Sequence, residues 1–217
     1  MPSTGSRKEK ISPLDVFINC PFDETYRPLF AAIIFTITAS GYRPRCALEE
    51  ENGADIRLDK LCRIVGQCQR SIHDLSRVEV DTGTLPRFNM PFELGMVIGA
   101  KRFGGKVYQY ISALIMVHEA YQMPAFLSDL AGNDPHAHRN QVANVIKIVR
   151  NFLSTYPGGV APLPGPAALL SDFEEFQSKL PVLAEAIRHT PEEIDPFRSY
   201  PEYTSILSGY LKNLPPL

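Results

Sequence analysis

Short apolar runs alternate with longer stretches of helical periodicity in the first half of the chain. Four apolar runs are expected to form strands: Asp15–Cys20, Arg43–Leu48, Ser71–Leu75 and a segment between Lys106 and Val117. Three intervening stretches are expected to form helices: Pro28–Ser40, Asp55–Gln69 and Asn89–Arg102. Such alternation is typical of a parallel sheet with helices on both faces. The expected fold class is therefore α/β, with a flavodoxin- or Rossmann-like sheet.

The pattern changes after His118 and predicts helices for most of the remaining chain. Three helices are expected there: Asn140–Leu153, Ala167–His189 and Glu202–Asn213. The connection Pro157–Pro166 is rich in proline and glycine, which interrupt regular structure. We therefore expect a flexible N-terminus over residues 1–13, an α/β domain over residues 14–135, and a helical extension over residues 136–217 that packs on the core.

Composition and charge give no reason to expect a nucleic-acid or membrane partner. The chain is 44% hydrophobic and 21% charged, with a net charge of -2. Non-specific nucleic-acid binding needs a dense array of Lys and Arg side chains against the phosphates. The chain has no run of about 18 apolar residues, the length of a membrane-spanning helix. Its polar start is not followed by the apolar run of a signal peptide, so we expect a cytoplasmic protein.

The sequence lacks the signatures of several common sites. No C-x-x-C pair occurs among the cysteines, which are expected to be reduced thiols in a core: Cys20, Cys46, Cys62 and Cys68. One short segment groups residues that can bind metals, but their spacing matches no established ligand pattern and favours a polar loop: Asp129, Asp134, His136 and His138. We expect neither a metal nor a cofactor. The chain also has no GxxxxGK[ST], GxGxxG or GxSxG motif, which argues against kinases, dehydrogenases and serine hydrolases.

Polar residues follow the first and third predicted strands, at the edge where parallel sheets bind their ligands. The loops diverge at the carboxyl ends of such strands, and helix N-termini point free N–H groups into the crevice between them. Six candidate ligand-binding residues lie in these loops: Asn19, Cys20, Phe22, Asp23, Asp74 and Ser76. Asp74 equally suits a cap for the turn after strand three. We expect a small ligand to bind at this edge.

The segment Asn89–Gly95 carries the strongest candidate for chemistry. Asn89 suits a helix N-cap and is a further candidate ligand-binding residue, and Pro91 fits a first helical turn. Glu93 then lies near the helix start, where the partial positive charge favours an ionised carboxylate. Such a carboxylate can attack the anomeric carbon of a nucleotide sugar, or stabilise the cation that forms as the base departs. Two glycines further along leave a bare stripe that another backbone can approach closely: Gly95 and Gly99.

These motifs resemble two groups of proteins that cleave N-glycosidic bonds. Asp74-Leu75-Ser76, a loop, and Asn89-Met-Pro-Phe-Glu-Leu-Gly95 are similar to nucleoside 2-deoxyribosyltransferases and deoxynucleotide N-hydrolases, whose Glu-Leu-Gly helix carries the nucleophile. The same stretch, with the opening Val16-Phe-Ile-Asn-Cys-Pro-Phe-Asp23, resembles Toll/interleukin-receptor (TIR) domains. In those domains a helix glutamate cleaves the nicotinamide–ribose bond of NAD. The resemblance covers about residues 14–117, roughly half of the chain.

The resemblance implies roles for particular residues. Glu93 would be the catalytic carboxylate, Asp74 would touch the base or the ribose, and Asn19 and Asp23 would line the pocket. It also implies a homodimer, because related glutamate sites are often completed by a second subunit. The loop between Ser76 and Phe88 is long and the helical tail belongs to neither minimal domain, so the substrate stays open.

Three functions are compatible with these observations. The first is an N-glycosidase that acts on NAD or a related nucleotide, a type found among bacterial antiviral-defence effectors. The second is a nucleoside 2-deoxyribosyltransferase or deoxynucleotide N-hydrolase, and the third is a non-catalytic module that senses a nucleotide or binds a protein. The two enzymatic functions require Glu93 to be charged and to face a cleft near the ends of strands one and three. If its side chain were buried against the core, the case for an enzyme would fail, and only the predicted α/β architecture would remain supported.

Overall fold

A five-stranded parallel sheet forms the centre of the protein in a computed structural model, which describes residues 11–77, 88–120, 125–130, 132–155 and 162–213. The strands are Ser12–Asn19 (β1), Arg43–Arg45 (β2), Cys68–Asp74 (β3), Ser112–Val117 (β4) and His136–Ala137 (β5). The helices are Arg27–Ala39 (α1), Arg57–Gln67 (α2), Asn89–Phe103 (α3), Val142–Ser154 (α4), Pro166–Ala186 (α5) and Tyr200–Lys212 (α6). A 3-10 helix, Ala125–Leu130, precedes β5.

The strand order is β2-β1-β3-β4-β5, and each neighbouring pair is parallel. This is the flavodoxin-like order, in which the direction of winding reverses between β1 and β3. It confirms the α/β fold class expected from the sequence. In folds of this strand order, ligands typically bind in a crevice at the carboxyl ends of the strands that flank the reversal, which are β1 and β3 here. The connections that follow these two strands run to opposite faces of the sheet.

One face of the sheet carries α1, which is covered in turn by the C-terminal helices. Every residue of α1 from Leu29 to Ile37 is buried, because the helix lies between the sheet and the layer of α4, α5 and α6. A helix that is apolar on all sides needs such enclosure. Rings from α5 complete the contact, with Phe35 centred 5.4 Å from Phe173 and 5.9 Å from Phe176.

The opposite face carries α2 and α3. The α2 stripe of Leu61, Ile64 and Val65 packs against Phe17 of β1. Met90 and Leu94 of α3 pack in a separate cluster with residues at the ends of β3 and β4. The first turn of α3 lies at the carboxyl edge of β1 and β3, because Asn19 at the end of β1 bonds the carbonyl oxygen of Met90.

The sheet continues beyond residue 135. His136 and Ala137 form β5 and pair with Met116 and Val117 of β4, so the expectation of a polar loop at His136–His138 is wrong. A two-residue strand has no alternation of apolar and polar residues to indicate it. It is specified instead by pairing with the neighbouring strand.

Three of the four cysteines are buried free thiols, as expected: Cys20, Cys46 and Cys68. The expectation is wrong for Cys62, which is exposed on α2. Its position lies off the apolar stripe of that helix, which is formed by the neighbouring Leu61 and by Ile64.

Candidate functional site

Asn19 joins three elements at the carboxyl edge of β1 and β3. Its Nδ2 donates to the carbonyl oxygen of Met90 at 2.9 Å and lies 3.0 Å from His73 Nδ1. Asn19 and His73 are paired residues in the β1–β3 ladder. The buried Asn19 amide therefore holds the first turn of α3 against the ends of β1 and β3, between which the direction of winding reverses.

His73 is a buried neutral imidazole. An amide nitrogen has hydrogens and no free electron pair, so His73 Nδ1 accepts from Asn19 and the ring hydrogen is on Nε2. Burial lowers the pKa of His73 to about 3, and Nε2 has no hydrogen-bond partner among the described residues. This residue is not among the candidates expected from the sequence, because a histidine within a strand gives no signal of its own.

Replacing Asn19 by alanine is expected to lower the free energy of unfolding by about 1–3 kcal/mol, because the Met90 carbonyl and His73 Nδ1 would lose a buried partner. Denaturant unfolding measures this change. Asn133→Ala is the matched control, since that exposed amide bonds only the nearby Leu130 carbonyl, and it should change stability by less than about 0.5 kcal/mol. Equal effects of the two substitutions would contradict the bridging role of Asn19.

Glu93 lies at the same edge, but its environment differs from the expected one. The residue is only 6% exposed, and burial raises the pKa of its carboxyl group from 4.5 to about 7, with the charge of Arg57 acting in the opposite direction. The expectation of a carboxylate exposed at the lip of a cleft is therefore wrong, because Glu93 lies on the buried face of α3. No described residue forms a hydrogen bond or ion pair with this carboxylate.

The start of α3 explains the difference. Phe88 is the N-cap, with helical backbone angles and no capping side chain, and α3 has no acidic residue in its first turn. Asn89 is thus the first residue of the helix and not its cap, and its side chain is exposed. Glu93 lies in the second turn, on the buried face with Met90, Leu94 and Val97. Desolvation at this position raises the pKa of Glu93 more than the positive end of the helix lowers it, because the field of the helix terminus decays within one turn.

Asp74 is fully buried and joins three segments of the chain. Its Oδ2 accepts from the Tyr26 hydroxyl at 2.6 Å, and its Oδ1 accepts from the Ser76 N–H at 2.8 Å. His138 Nε2 lies 3.0 Å from Oδ2. Because His138 Nδ1 accepts from the Asn140 N–H, the ring hydrogen is on Nε2. Nε2 lies close to the carboxylate but forms no hydrogen bond with it or with any other described residue. Asp74 therefore has the turn-capping role that the sequence left open, and both of its oxygens are engaged.

The remaining candidates fall into two groups. Cys20 and Ser76 lie beside Asp74. Burial, and to a lesser extent the charge of Asp74, raises the pKa of the Cys20 thiol well above its ordinary value. Ser76 Oγ is buried without a hydrogen-bond partner among the described residues. The other two candidates shape the β1–α1 loop. The Phe22 ring packs edge-on against Phe30 and Phe197. Asp23 Oδ1 accepts hydrogen bonds from the Thr25 hydroxyl and from the backbone N–H of Tyr26.

Two of the cavities lined by described residues lie away from this edge. One of about 920 Å³ lies between β2 and α6, and one of about 600 Å³ lies between β4 and α4. Neither is lined by Glu93, Asn19 or Asp74. In the described part of the chain no cluster of three His, Cys, Asp or Glu side chains is arranged to hold a metal ion. No described helix has the length and apolar character needed to cross a membrane.

Comparison with known proteins identifies no relative. No protein-family model, no curated protein and no solved structure matches this chain. The resemblance to deoxyribosyltransferases and TIR domains therefore stays a hypothesis, which depends on the residues at the edge of β1 and β3.

Proposed function

We propose that the protein is a nucleotide N-glycosidase that cleaves the base–ribose bond of NAD or a related nucleotide, with Glu93 as the reacting carboxylate. The burial of Glu93 removes the exposed, cleft-facing carboxylate that the sequence-based case required. The proposal is carried instead by one other observation: burial raises the pKa of this carboxyl group to about 7 at the carboxyl edge of the sheet, where no described residue bonds to it. Burying an acid without a partner costs stability. Carboxyl groups with strongly shifted pKa values are concentrated at functional sites, because the chemistry there requires the shifted pKa in spite of its cost to stability.

The raised pKa suits this chemistry. With a pKa of about 7, Glu93 is ionised in about half of the molecules at neutral pH, and the ionised form is more basic than an ordinary glutamate. Cleavage of an N-glycosidic bond leaves positive charge on the sugar while the base departs with the bonding electron pair. The Glu93 carboxylate would stabilise that charge or bond to the anomeric carbon, and water would then add to the same carbon.

Base release from NAD, ribonucleotides and 2′-deoxynucleosides, followed by chromatography, tests the proposal. Glu93→Gln should lower the rate at least about a hundredfold without unfolding the protein. The wild-type rate should rise with pH through about 7, because the ionised carboxylate reacts. Glu174→Gln, on the exposed surface of α5, is the matched control. Base release by the Glu93→Gln variant at the wild-type rate would exclude the mechanism, and a preference for 2′-deoxy substrates would assign the deoxyribosyltransferase activity instead.

A non-catalytic nucleotide-sensing or protein-interaction module is the second candidate. It is favoured by the engagement of both Asp74 oxygens in hydrogen bonds within the fold. This function predicts nucleotide binding that Glu93→Gln leaves nearly intact, with no turnover. Calorimetric titration with the same nucleotides separates it from the enzymatic proposal.

A further inference from the structure

A third cavity, of about 340 Å³, lies between the start of α1 and the C-terminal helices α5 and α6. The segment that connects α5 to α6 contributes Ile194 and Asp195 to its wall. The volume is within the range of pockets that bind small molecules, which is roughly 300–1,000 Å³. The cavity is separate from the edge of β1 and β3, because neither Glu93, Asn19 nor Asp74 lines it.

Most of the wall of this cavity is apolar, and rings form much of it. Five of the lining residues carry a ring: Phe173, Tyr203, Pro28, Pro191 and Pro196. Aliphatic side chains such as Leu180 contribute most of the remaining apolar wall. Aromatic rings prefer offset-stacked or edge-to-face contacts with other rings. The lining therefore suits a planar, largely apolar ligand.

Two hydrogen-bonding side chains, Tyr203 and Gln177, line the same cavity. Gln177 Nε2 donates to the Tyr203 hydroxyl at 3.1 Å. Tyr203 is only 1% exposed, and no described residue accepts the hydrogen of its hydroxyl group. The side-chain oxygen of Gln177 likewise accepts no hydrogen bond from the described part of the chain. Buried polar groups normally have partners, so this pair offers one donor and one acceptor to a ligand.

The charges around the cavity disfavour an anionic ligand. Arg27 is the one cationic residue in the lining, and its guanidinium forms ion pairs with Glu24 and with the buried Asp195. Glu192 also lines the cavity and has no ion-pair partner among the residues that the structure describes. A carboxylate or phosphate group would therefore meet negative charge that is not compensated. An uncharged ligand would avoid this repulsion.

We infer that this cavity binds an uncharged, planar molecule of one or two rings that carries both a hydrogen-bond acceptor and a donor, as aromatic amides and nucleobases do. The acceptor takes the hydrogen of the Tyr203 hydroxyl, and the donor bonds the side-chain oxygen of Gln177. The rings of the wall enclose the apolar part of the ligand. The inference does not depend on the proposed N-glycosidase activity, because the cavity shares no residue with the Glu93 site.

Calorimetry and ligand-detected NMR with benzamide, benzoate and benzylamine test the inference, because the three probes share one ring and differ in the charge of one substituent. Benzamide should bind with a Kd below about 1 mM. Benzoate should bind at least about tenfold more weakly because it is repelled by Glu192, and benzylamine equally so because it offers no acceptor to Tyr203. If benzamide did not bind, the site would be overturned. Equal or tighter binding of either charged probe would overturn the ligand class.

Two substitutions locate the bound probe. Tyr203→Phe removes the hydroxyl and keeps the ring, so it should weaken benzamide binding at least about tenfold. Ala31→Leu should abolish binding, because the larger side chain would occupy part of the cavity that Ala31 lines. The circular dichroism spectrum should stay native in both variants. Benzamide binding that survives both substitutions would place the probe elsewhere and overturn the inference.

Tyr210→Phe is the matched control for Tyr203→Phe. Tyr210 lies on the same helix, its buried hydroxyl has no partner among the described residues, and it does not line the cavity. This variant should bind benzamide as the wild type does. Glu93→Gln should also leave benzamide binding unchanged, whatever its effect on base release. Loss of benzamide binding in Glu93→Gln would assign the probe to the edge of β1 and β3 and would contradict a separate site.

Discussion

Replacing Asp74 by alanine is expected to lower the free energy of unfolding by about 3–5 kcal/mol. The substitution would leave the buried Tyr26 hydroxyl and the partly buried Ser76 N–H without an acceptor. It would also remove the carboxylate that lies 3.0 Å from His138 Nε2. Each buried donor left unsatisfied costs about 1–3 kcal/mol, so the losses add to a large fraction of the stability of a domain of this size.

Urea unfolding of three variants tests this prediction. Tyr26→Phe removes one donor together with its hydrogen bond and should cost only about 1 kcal/mol. Asp129→Ala is the matched control, because Asp129 is exposed, and it should change stability by less than about 0.5 kcal/mol. If Asp74→Ala is no more destabilising than Asp129→Ala, the buried network does not stabilise the fold.

Replacing Glu93 by glutamine is expected to stabilise the protein at alkaline pH by up to about 3 kcal/mol and to leave it nearly unchanged below pH 4.5. The folded carboxyl group has a pKa of about 7 against an ordinary value of 4.5. Between these values the folded protein holds a proton that the unfolded chain has released. Wild-type stability therefore decreases as the pH rises from about 4.5 to about 7, and the full loss, about 3 kcal/mol, is present above that range.

The difference between the two unfolding free energies, measured across that pH range, tests the prediction. Glutamine cannot ionise, so the Glu93→Gln variant should lack this component of the pH dependence. Glu174→Gln should follow the wild-type curve, because Glu174 is exposed. If the free energies of unfolding of wild type and Glu93→Gln changed with pH in parallel, burial would not destabilise the ionised form of the Glu93 carboxyl group. That outcome would remove the physical basis of the enzymatic proposal independently of any substrate.

Apolar patterning predicted the fold because each long element carries its own periodicity. The helix expected at Pro28–Ser40 is Arg27–Ala39, and the one expected at Asn89–Arg102 is Asn89–Phe103. Short strands are less well determined. The second strand ends at Arg45 and not at Leu48, because a turn at Cys46–Glu49 follows it.

The candidate site was only partly predictable. The edge of the sheet at which the candidate residues lie follows from topology, whereas the ionisation of Glu93 is predicted only from its distance to the helix start. Met90, Glu93, Leu94 and Val97 are spaced as one helical stripe, and this spacing was the signal that Glu93 faces inward. The approach of His138 to Asp74 has no local signal, since it depends on a two-residue strand being paired at the far edge of the sheet.

The carboxylate of Asp74 also determines which parts of the chain can open independently. It connects the start of α1, the end of β3 and, through His138, the segment that follows β5. An edge strand of two residues would ordinarily fray, because few hydrogen bonds hold it. Here its release would separate His138 from Asp74 and expose to water a buried network that reaches the first helix. The smallest strand of the sheet is therefore coupled to its centre, and the two should open as one cooperative unit.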